Sequence, residues 1–259
     1  MLKKERLKKH FNKEWESMLS HIQAFYDSKD PEEAHQVRLQ IKKINALLFF
    51  LKGYSNGKKI SKHFHPIKLI FKHFGDIRSA HINLSFIKKY QMTNVVFKNE
   101  QDKIVTNKTI QLYSKQKTII KAFKRSNKVF LRNFHSVENN FILNRYEKQL
   151  KKLLKFFDDP SINDDKLHDN RKKLKVLLYF YKVLHKTLVN KLKLNIPYLN
   201  KLQDLIGKWH DLISMIELFK IKGPADKQII DKLNKQSKKI HYEIKSLSNN
   251  FGNKVILRS

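Results

Sequence analysis

Residues 35–43 read HQVRLQIKK, and residues 168–175 read HDNRKKLK, a second version of the same pattern. Each version has a histidine, an arginine three residues later and a lysine seven residues later. Residues at i, i+3 and i+7 share one face of an α-helix, which turns about 100° per residue. The apolar positions on the other side are Val37, Ile41, Ile44, Leu48 and Leu51 in the first version, and Leu174, Leu177, Tyr181 and Leu184 in the second. Both stretches are therefore predicted to be helices with one cationic and one apolar face.

Positive charge is the strongest global feature of the chain. Its 259 residues include 55 Lys+Arg and 23 Asp+Glu, which gives a formal net charge of +32. This excess favours an anionic partner, and the three candidates are nucleic acid, an anionic membrane surface and an inorganic polyanion. A hydrophobic content of 41% is enough for a folded core. The chain has no cysteine, which excludes disulfides, thiolate metal sites and cysteine nucleophiles.

The N-terminal residues MLKKER lead directly into charged amphipathic sequence, without the apolar region of a signal peptide. No apolar run approaches the ~20 residues that span a bilayer. We therefore expect a cytoplasmic protein with no membrane partner.

Several landmarks recur at a nearly constant offset. The histidines of the two patterns, His35 and His168, are 133 residues apart, and Gly75 and Gly207 are 132 apart. Pro66 and Pro197, 131 apart, each precede a predicted amphipathic helix, and the Asp-Pro pairs at 30–31 and 159–160 are predicted to open the motif helices. The constant offset indicates an internal duplication of roughly 130 residues per half.

The periodicity is helical throughout, without the alternation typical of strands. The predicted helices are 2–26, 31–54, 61 or 66 to 90, and 98–134 in the first half, and 137–157, 160–189, 197–221 and 224–248 in the second. Two sets of four predict an all-α protein built from two four-helix bundles. We expect a single domain over residues 1–259, with halves 1–136 and 137–249 and a tail, 250–259, that carries no strong signal.

The use of arginine separates two kinds of basic residue. Lysine stripes on amphipathic helices, such as Lys121, Lys124 and Lys128, are also typical of a merely solvated face. Only eight of the 55 basic residues are arginine, and Arg38 and Arg171 hold matching places in the two patterns. A guanidinium offers a planar fork of donors that suits phosphate oxygens, so a phosphate-bearing ligand is favoured over a diffuse anionic surface.

At these residues the chain resembles the CHAD domain, the conserved histidine α-helical domain. The resemblance rests on the two motif copies and on two later elements. These are FGDIR at residues 74–78, similar to the family's Leu-Gly-x-x-Arg-Asp, and LQDLIGKWHD at 202–211, similar to Leu-Gln-x-x-Leu-Gly-x-x-Asn-Asp. The chain departs from the pattern at Val176, the counterpart of Lys43, and at His210, where the family has Asn or Arg.

The resemblance implies two bundles related by a pseudo-twofold axis, with the motif helices lining a basic central groove or pore. It also implies binding of inorganic polyphosphate without chemistry, and association with polyphosphate granules and their proteins. On this basis Arg38 and Arg171 are expected to clamp phosphate, with lysines as point charges. The candidate polyphosphate-binding residues are His35, Arg38, Lys42, Lys43, Lys68, Lys72, Arg78, Lys121, Lys124, Lys128, His168, Arg171, Lys172, Lys175 and Lys201. The two histidines either donate to phosphate or fix helix packing.

Three other functions compete with polyphosphate binding. Nonspecific nucleic-acid binding is the main alternative, and a weak form of it is expected from charge alone; however, the aromatic residues fall on apolar faces, where they cannot stack on bases. Catalysis is not expected, because no Glu-x-Glu-x-Lys element is present and carboxylates are sparse on the basic faces. His63, His65 and His73 lack a fourth ligand, so we expect neither a metal site nor a cofactor.

Overall fold

Helices account for all the regular secondary structure of the described residues in this computed structural model, which are 1–54, 57–159, 164–222 and 227–256. Isolated β-bridges join Leu2 to Val137 and Leu194 to Ile256. The all-α prediction is therefore confirmed. The contacts divide the chain into two compact units, Met1–Val137 and Glu138–Ser259. No helix within the described ranges has the length and apolar character needed to cross a membrane.

The first unit contains α1 (Lys4–Ser28), α2 (Pro31–Leu51), α3 (Gly57–Lys89), α4 (Val95–Ser114) and α5 (Gln116–Asn133). The start of α2 follows from its sequence, because Asp30 accepts a hydrogen bond of 2.8 Å from the Glu32 amide and Pro31 occupies the first turn. This capping pair begins the first motif helix where the sequence predicted it.

In the first unit, α2 packs against α1 and α3, whereas α4 and α5 follow one another along α3. Asn83 of α3 donates to Gln101 of α4 over 2.9 Å, and Ser126 of α5 donates to the His63 carbonyl of α3 over 2.8 Å. On its other side α5 reaches α1, where the Phe11 and Phe130 rings lie 5.6 Å apart. Helices α1 and α3 thus lie between α2 and α5.

Two predicted boundaries in the first unit are wrong. The predicted helix 98–134 is broken at Lys115, because Tyr26 Oη donates to the Leu112 carbonyl, which Gln116 would occupy in a continuous helix. Pro66 lies inside α3 and does not precede a new helix. Burial of the adjacent Ile67, which is 0% exposed, favours continuing the helix despite the hydrogen bond that proline cannot make.

The second unit contains α6 (Asn139–Phe157), α7 (Asp164–Tyr181), α8 (Lys186–Leu192), α9 (Ile196–Lys222), α10 (Lys227–Ser248) and α11 (Phe251–Lys254). Helix α7 packs on α6 and α9, and α9 packs on α10. Tyr146 of α6 is fully buried and donates to the Leu177 carbonyl of α7 over 3.1 Å. The second motif helix is therefore fixed from both sides.

The second unit also departs from its predicted boundaries. The predicted helix 160–189 ends at Tyr181, where the Val183 and Leu184 amides bond back to the last turn, and α8 is separate. Pro160 and Pro224, the predicted starts of two helices, lie outside the described residues. The described part of the tail, residues 250–256, is structured, because the buried Phe251 ring stacks on Phe157 at 4.8 Å. That the two units form one domain stays a prediction.

Candidate functional site: the basic faces of α2 and α7

In the first unit, the guanidinium of Arg38 lies against the backbone of α3. Its Nη1 donates to the Phe71 carbonyl, and its Cζ lies 3.9 Å from the centroid of the Phe71 ring. A Cβ on Gly75 would lie 3.1 Å from the same Cζ and would overlap the Nη1 atom. Glycine at this position therefore makes room for the arginine.

The second unit repeats this contact between α7 and α9. Arg171 Nε donates to the Gln203 carbonyl over 3.0 Å, and a Cβ on Gly207 would lie 2.9 Å from Arg171 Cζ. Phe71 and Gln203 each precede the glycine by four residues. Each motif arginine thus uses one of its five N–H donors to bind a helix carbonyl. Its side chain stays partly exposed, and the other N–H groups can bind further partners.

Like charges surround the first arginine. Burial lowers the pKa of Arg38, Arg78 lowers it further, and Asp76 opposes them. An arginine nevertheless remains cationic at physiological pH. Arg78 lies three residues after Gly75, which places it on the same side of α3 as Arg38. Asp76 is itself paired with Lys108 of α4 at 3.0 Å, so it neutralises this face only in part.

A pair of histidines marks the second unit. The rings of His168 on α7 and His210 on α9 have centroids 3.9 Å apart. The pKa of His168 is lowered to about 4, first by burial and then by His210, Lys172 and Arg171, with Asp169 opposing. His168 Nδ1 is buried without a hydrogen-bond partner. His168 is therefore neutral at pH 7, and its ring contacts the neighbouring helix.

Lys43 and Lys172, both predicted to bind phosphate, form ion pairs within the protein. Lys43 Nζ lies 2.9 Å from Glu14 of α1 and 2.9 Å from the Gln40 side chain, and Glu14 is only 6% exposed. Consecutive helical residues diverge by about 100°, so Lys43 faces α1 while Lys42 lies on the α3 side, 6.0 Å from the Phe71 ring centroid. Lys172 pairs with Asp169 at 3.0 Å on the exposed surface, where such a pair contributes little.

The remaining candidates divide into two groups. Lys68 and Lys72 are exposed on α3 and precede Phe71 and Gly75 by three residues each, which places them on the side that Arg38 contacts. Lys175, four residues after Arg171, is half-buried on α7, and Lys201 is exposed on α9. Lys121, Lys124 and Lys128 are exposed on α5, on the far side of α1 and α3 from α2. The structure does not bring these three lysines together with Arg38.

One feature of the site was not found from the sequence. The carbonyls of Phe71 and Gln203 hold the arginines, and the signal for them is the glycine four residues later. The ring of His168 contacts His210, as a packing role would require, whereas the choice between packing and phosphate contact stays a prediction for both motif histidines. Within the described residues no three side chains of His, Asp or Glu come together as metal ligands, and this includes His63, His65 and His73.

The fold and the site together define a class: an all-helical protein in which arginines of basic helices pack on glycines of the next long helix. Residues 9–220 match the family model of the CHAD domain, so the chain belongs to the CHAD domain family. The chain is also similar in structure to the CHAD domain from the plant Ricinus communis, with a TM-score of 0.63 and 14% sequence identity over 94% of this chain and 84% of that one. At this identity the likeness concerns the fold alone. No curated protein matches the chain significantly.

Proposed function

We propose that the protein binds inorganic polyphosphate without chemistry, in a basic groove lined by α2 and α7, and that it associates with polyphosphate granules. The proposal rests on the duplication predicted from the sequence and on membership of the CHAD domain family, which is linked to polyphosphate binding in general. One observation carries it: in both units a motif arginine is held on a helix carbonyl beside a glycine.

The contact with the glycine helix prepares each guanidinium for phosphate. Because the carbonyl bond fixes the side chain before binding, less conformational entropy is lost when the ligand arrives. The remaining N–H groups of Arg38 and Arg171 present a fork to phosphate oxygens, and Lys42 and Lys175 add point charges one turn later. A polyanion that neutralises several cations releases their counterions, so affinity should fall steeply with salt.

The same geometry favours polyphosphate over single-stranded nucleic acid. The aromatic ring beside the α2 face is that of Phe71, and the Arg38 guanidinium lies 3.9 Å from its centroid. A ring covered in this way offers no platform for stacking bases, on which sequence-tolerant nucleic-acid binding depends. Weak binding of nucleic acid through bulk charge is still expected at a net charge of +32.

Calorimetric titration with polyphosphate of defined length tests the site. Arg38→Gln combined with Arg171→Gln should weaken binding about tenfold or more, which corresponds to about 1.4 kcal/mol. A second variant, Lys42→Gln with Lys175→Gln, removes the same charge without touching the glycine contacts and should weaken binding severalfold. The matched control is Lys98→Gln with Lys191→Gln, two exposed lysines on α4 and α8. Equal losses in all three variants would show that only net charge matters.

A competition experiment tests the class of ligand. Long-chain polyphosphate should displace a bound DNA oligomer at a much lower charge concentration than DNA needs to displace polyphosphate. If the two polymers compete equally per charge, the protein is a nonspecific polyanion binder and nonspecific nucleic-acid binding becomes the better description.

A further inference from the structure

Helix α5 carries an uninterrupted run of positive charge. Six of its residues are basic, namely Lys117, Lys121, Lys124, Arg125, Lys128 and Arg132, and none is acidic. No acidic residue occurs anywhere between Asp102 and Glu138. The helix therefore lacks the pairing at i, i+4 that usually offsets charge on a solvated face.

Five of these cations form one line on the surface. Lys117, Lys121, Lys124, Lys128 and Arg132 follow one another at spacings of three or four residues, and all are exposed. At about 1.5 Å per residue they extend over ~22 Å. None of the five has an ion-pair or hydrogen-bond partner among the described residues, unlike the lysines that pair with Glu14 and Asp76. Their charge is thus fully available to a ligand.

This line is separate from the face of α2. The opposite side of α5 is buried, with Phe123 1% and Phe130 0% exposed, and it faces α1 and α3. Helices α2 and α5 therefore lie diagonally across the unit, with axes roughly 14 Å apart if neighbouring axes are about 10 Å apart. Arg38 and Lys42 lie where α2 meets α3, whereas the charged side of α5 is opposite its buried phenylalanines, so the two faces would contact different segments of a bound polymer.

We propose that the exposed side of α5 is a second, independent polyphosphate track, so that one molecule cross-links two polyphosphate segments. This rests on the function proposed above. The apolar side of α5 is buried, so the helix cannot insert into a bilayer. Its phenylalanines are equally covered, so it offers no stacking surface to bases. A row of ammonium groups without a shaped pocket fits a flexible linear polyanion, and two such sites on one molecule make binding multivalent.

Two measurements on one triple variant test the second track. Lys121→Gln, Lys124→Gln and Lys128→Gln should remove the weaker binding event in a titration with short polyphosphate, while the affinity of the tighter event changes less than twofold. Light scattering with long-chain polyphosphate should fall about tenfold, because cross-links are lost. The control, Lys9→Gln with Lys98→Gln and Lys191→Gln, removes the same charge from three scattered exposed positions and should scatter like the wild type.

The outcomes separate this inference from the function on which it rests. If the triple variant keeps the wild-type stoichiometry and scattering while the Arg38 and Arg171 variant loses tight binding, only the second track is refuted. If the triple variant loses binding of a DNA oligomer but not of polyphosphate, α5 is a nucleic-acid surface and the inference is wrong. If wild-type protein does not bind polyphosphate at all, the proposed function itself fails.

Discussion

The contact between α2 and α3 in the first unit and the contact between α7 and α9 in the second use the same device in different electrostatic settings. In both, an arginine donates to a carbonyl four residues before a glycine. Three residues after the glycine, however, the first unit has Arg78 and the second has His210. The first setting is permanently cationic, whereas in the second burial lowers the pKa of the His168 ring to about 4, so that this ring is neutral at pH 7.

A second difference lies on the α1 side of the first motif helix. Lys43 and Glu14 form a largely buried ion pair there, whereas the counterpart of Lys43 in the second motif is Val176. The two units therefore share the arginine and the glycine and differ in the groups around them. This indicates that the shared contact is the scaffold of the site, and that neighbouring positions tune stability and charge.

The largest expected effect is on the stability of the first unit. Glu14→Ala leaves Lys43 partly buried without its carboxylate, which should cost about 2 kcal/mol, less than the about 3–5 kcal/mol of a fully buried pair. Chemical denaturation measures this loss. The double variant Glu14→Leu with Lys43→Val replaces the ion pair by apolar side chains, as Val176 does in the second unit. It should recover most of the stability. If this double variant keeps its stability but binds polyphosphate more weakly, then Lys43 takes part in binding.

Gly75→Ala should weaken polyphosphate binding about tenfold with little change in stability. The new Cβ displaces the guanidinium of Arg38, whose flexible stem lets it move away. A lost hydrogen bond of about 1 kcal/mol is roughly offset by the higher helix propensity of alanine, also about 1 kcal/mol. Gly207→Ala should act in parallel on Arg171.

The control for this pair is Ser79→Ala, an exposed position one turn after Gly75 on the same helix. It gains helix propensity without reaching Arg38, and titration should show wild-type affinity. If Gly75→Ala binds polyphosphate as well as this control, the position of the Arg38 guanidinium beside Gly75 is not required for binding.

Acid should destabilise the second unit through His168. Its folded-state pKa of about 4 lies below the ordinary value of 6.5. Between these values the unfolded chain binds more protons, so stability is complete above pH 6.5 and falls as the pH drops towards 4. Thermal unfolding should show a smaller loss between pH 6.5 and 4.5 in His168→Asn, by a few degrees in Tm. Identical slopes for both proteins would contradict the low pKa.

The same pKa bears on binding. Because His168 is already neutral in the unliganded protein at pH 7.5 and at pH 6, it contributes no change in charge over that interval. Tightening of polyphosphate binding on acidification from pH 7.5 to 6 that disappears in His168→Asn would show that phosphate itself draws a proton onto this ring.

The smallest expected effect comes from exchanging Arg78 and His210, the residues three positions after the two glycines. Arg78→His should weaken polyphosphate binding two- to threefold at pH 7.5, because one permanent charge is lost. The loss should shrink at pH 5.5, because the introduced histidine gains positive charge as the pH falls. His210→Arg adds a permanent charge and should strengthen binding in the second unit. Titrations at both pH values decide this, and a loss that stays the same at pH 5.5 would mean that the shape of Arg78 matters more than its charge.

The fold could be predicted where local chemistry decides it. Asp30 and Pro31 begin α2 at the predicted place because a cap and a fixed φ act within a few residues. The break at Lys115 could not be predicted, because Leu112 and Phe123 stay in phase along a helix and the interruption comes from Tyr26, far away in the sequence. The prediction at Pro66 was wrong for the opposite reason. Proline disfavours a helix interior locally, but the burial of the neighbouring Ile67 outweighs that preference.

In the candidate site, too, some residues could be predicted from local sequence and others could not. The periodicity of the two motifs selects Arg38 and Arg171 because a helix places i, i+3 and i+7 together without help from the rest of the chain. The sequence prediction also included Lys43, which follows Lys42 directly, but its ammonium pairs with Glu14, 29 residues earlier. Family resemblance supplied the ligand class, and the resemblance is carried by the motifs themselves.

The sequence by itself determined that the chain is helical and that two helices carry matching cationic faces, and its charge led us to expect an anionic partner. These follow from periodicity, spacing and charge, which act locally or over the whole chain. Only the tertiary structure decided which cations meet. Packing between helices sets Arg38 beside Gly75, turns Lys43 towards α1, joins His168 to His210, and leaves the lysines of α5 on a surface of their own. Such contacts join residues far apart in the sequence, so no local pattern contains them.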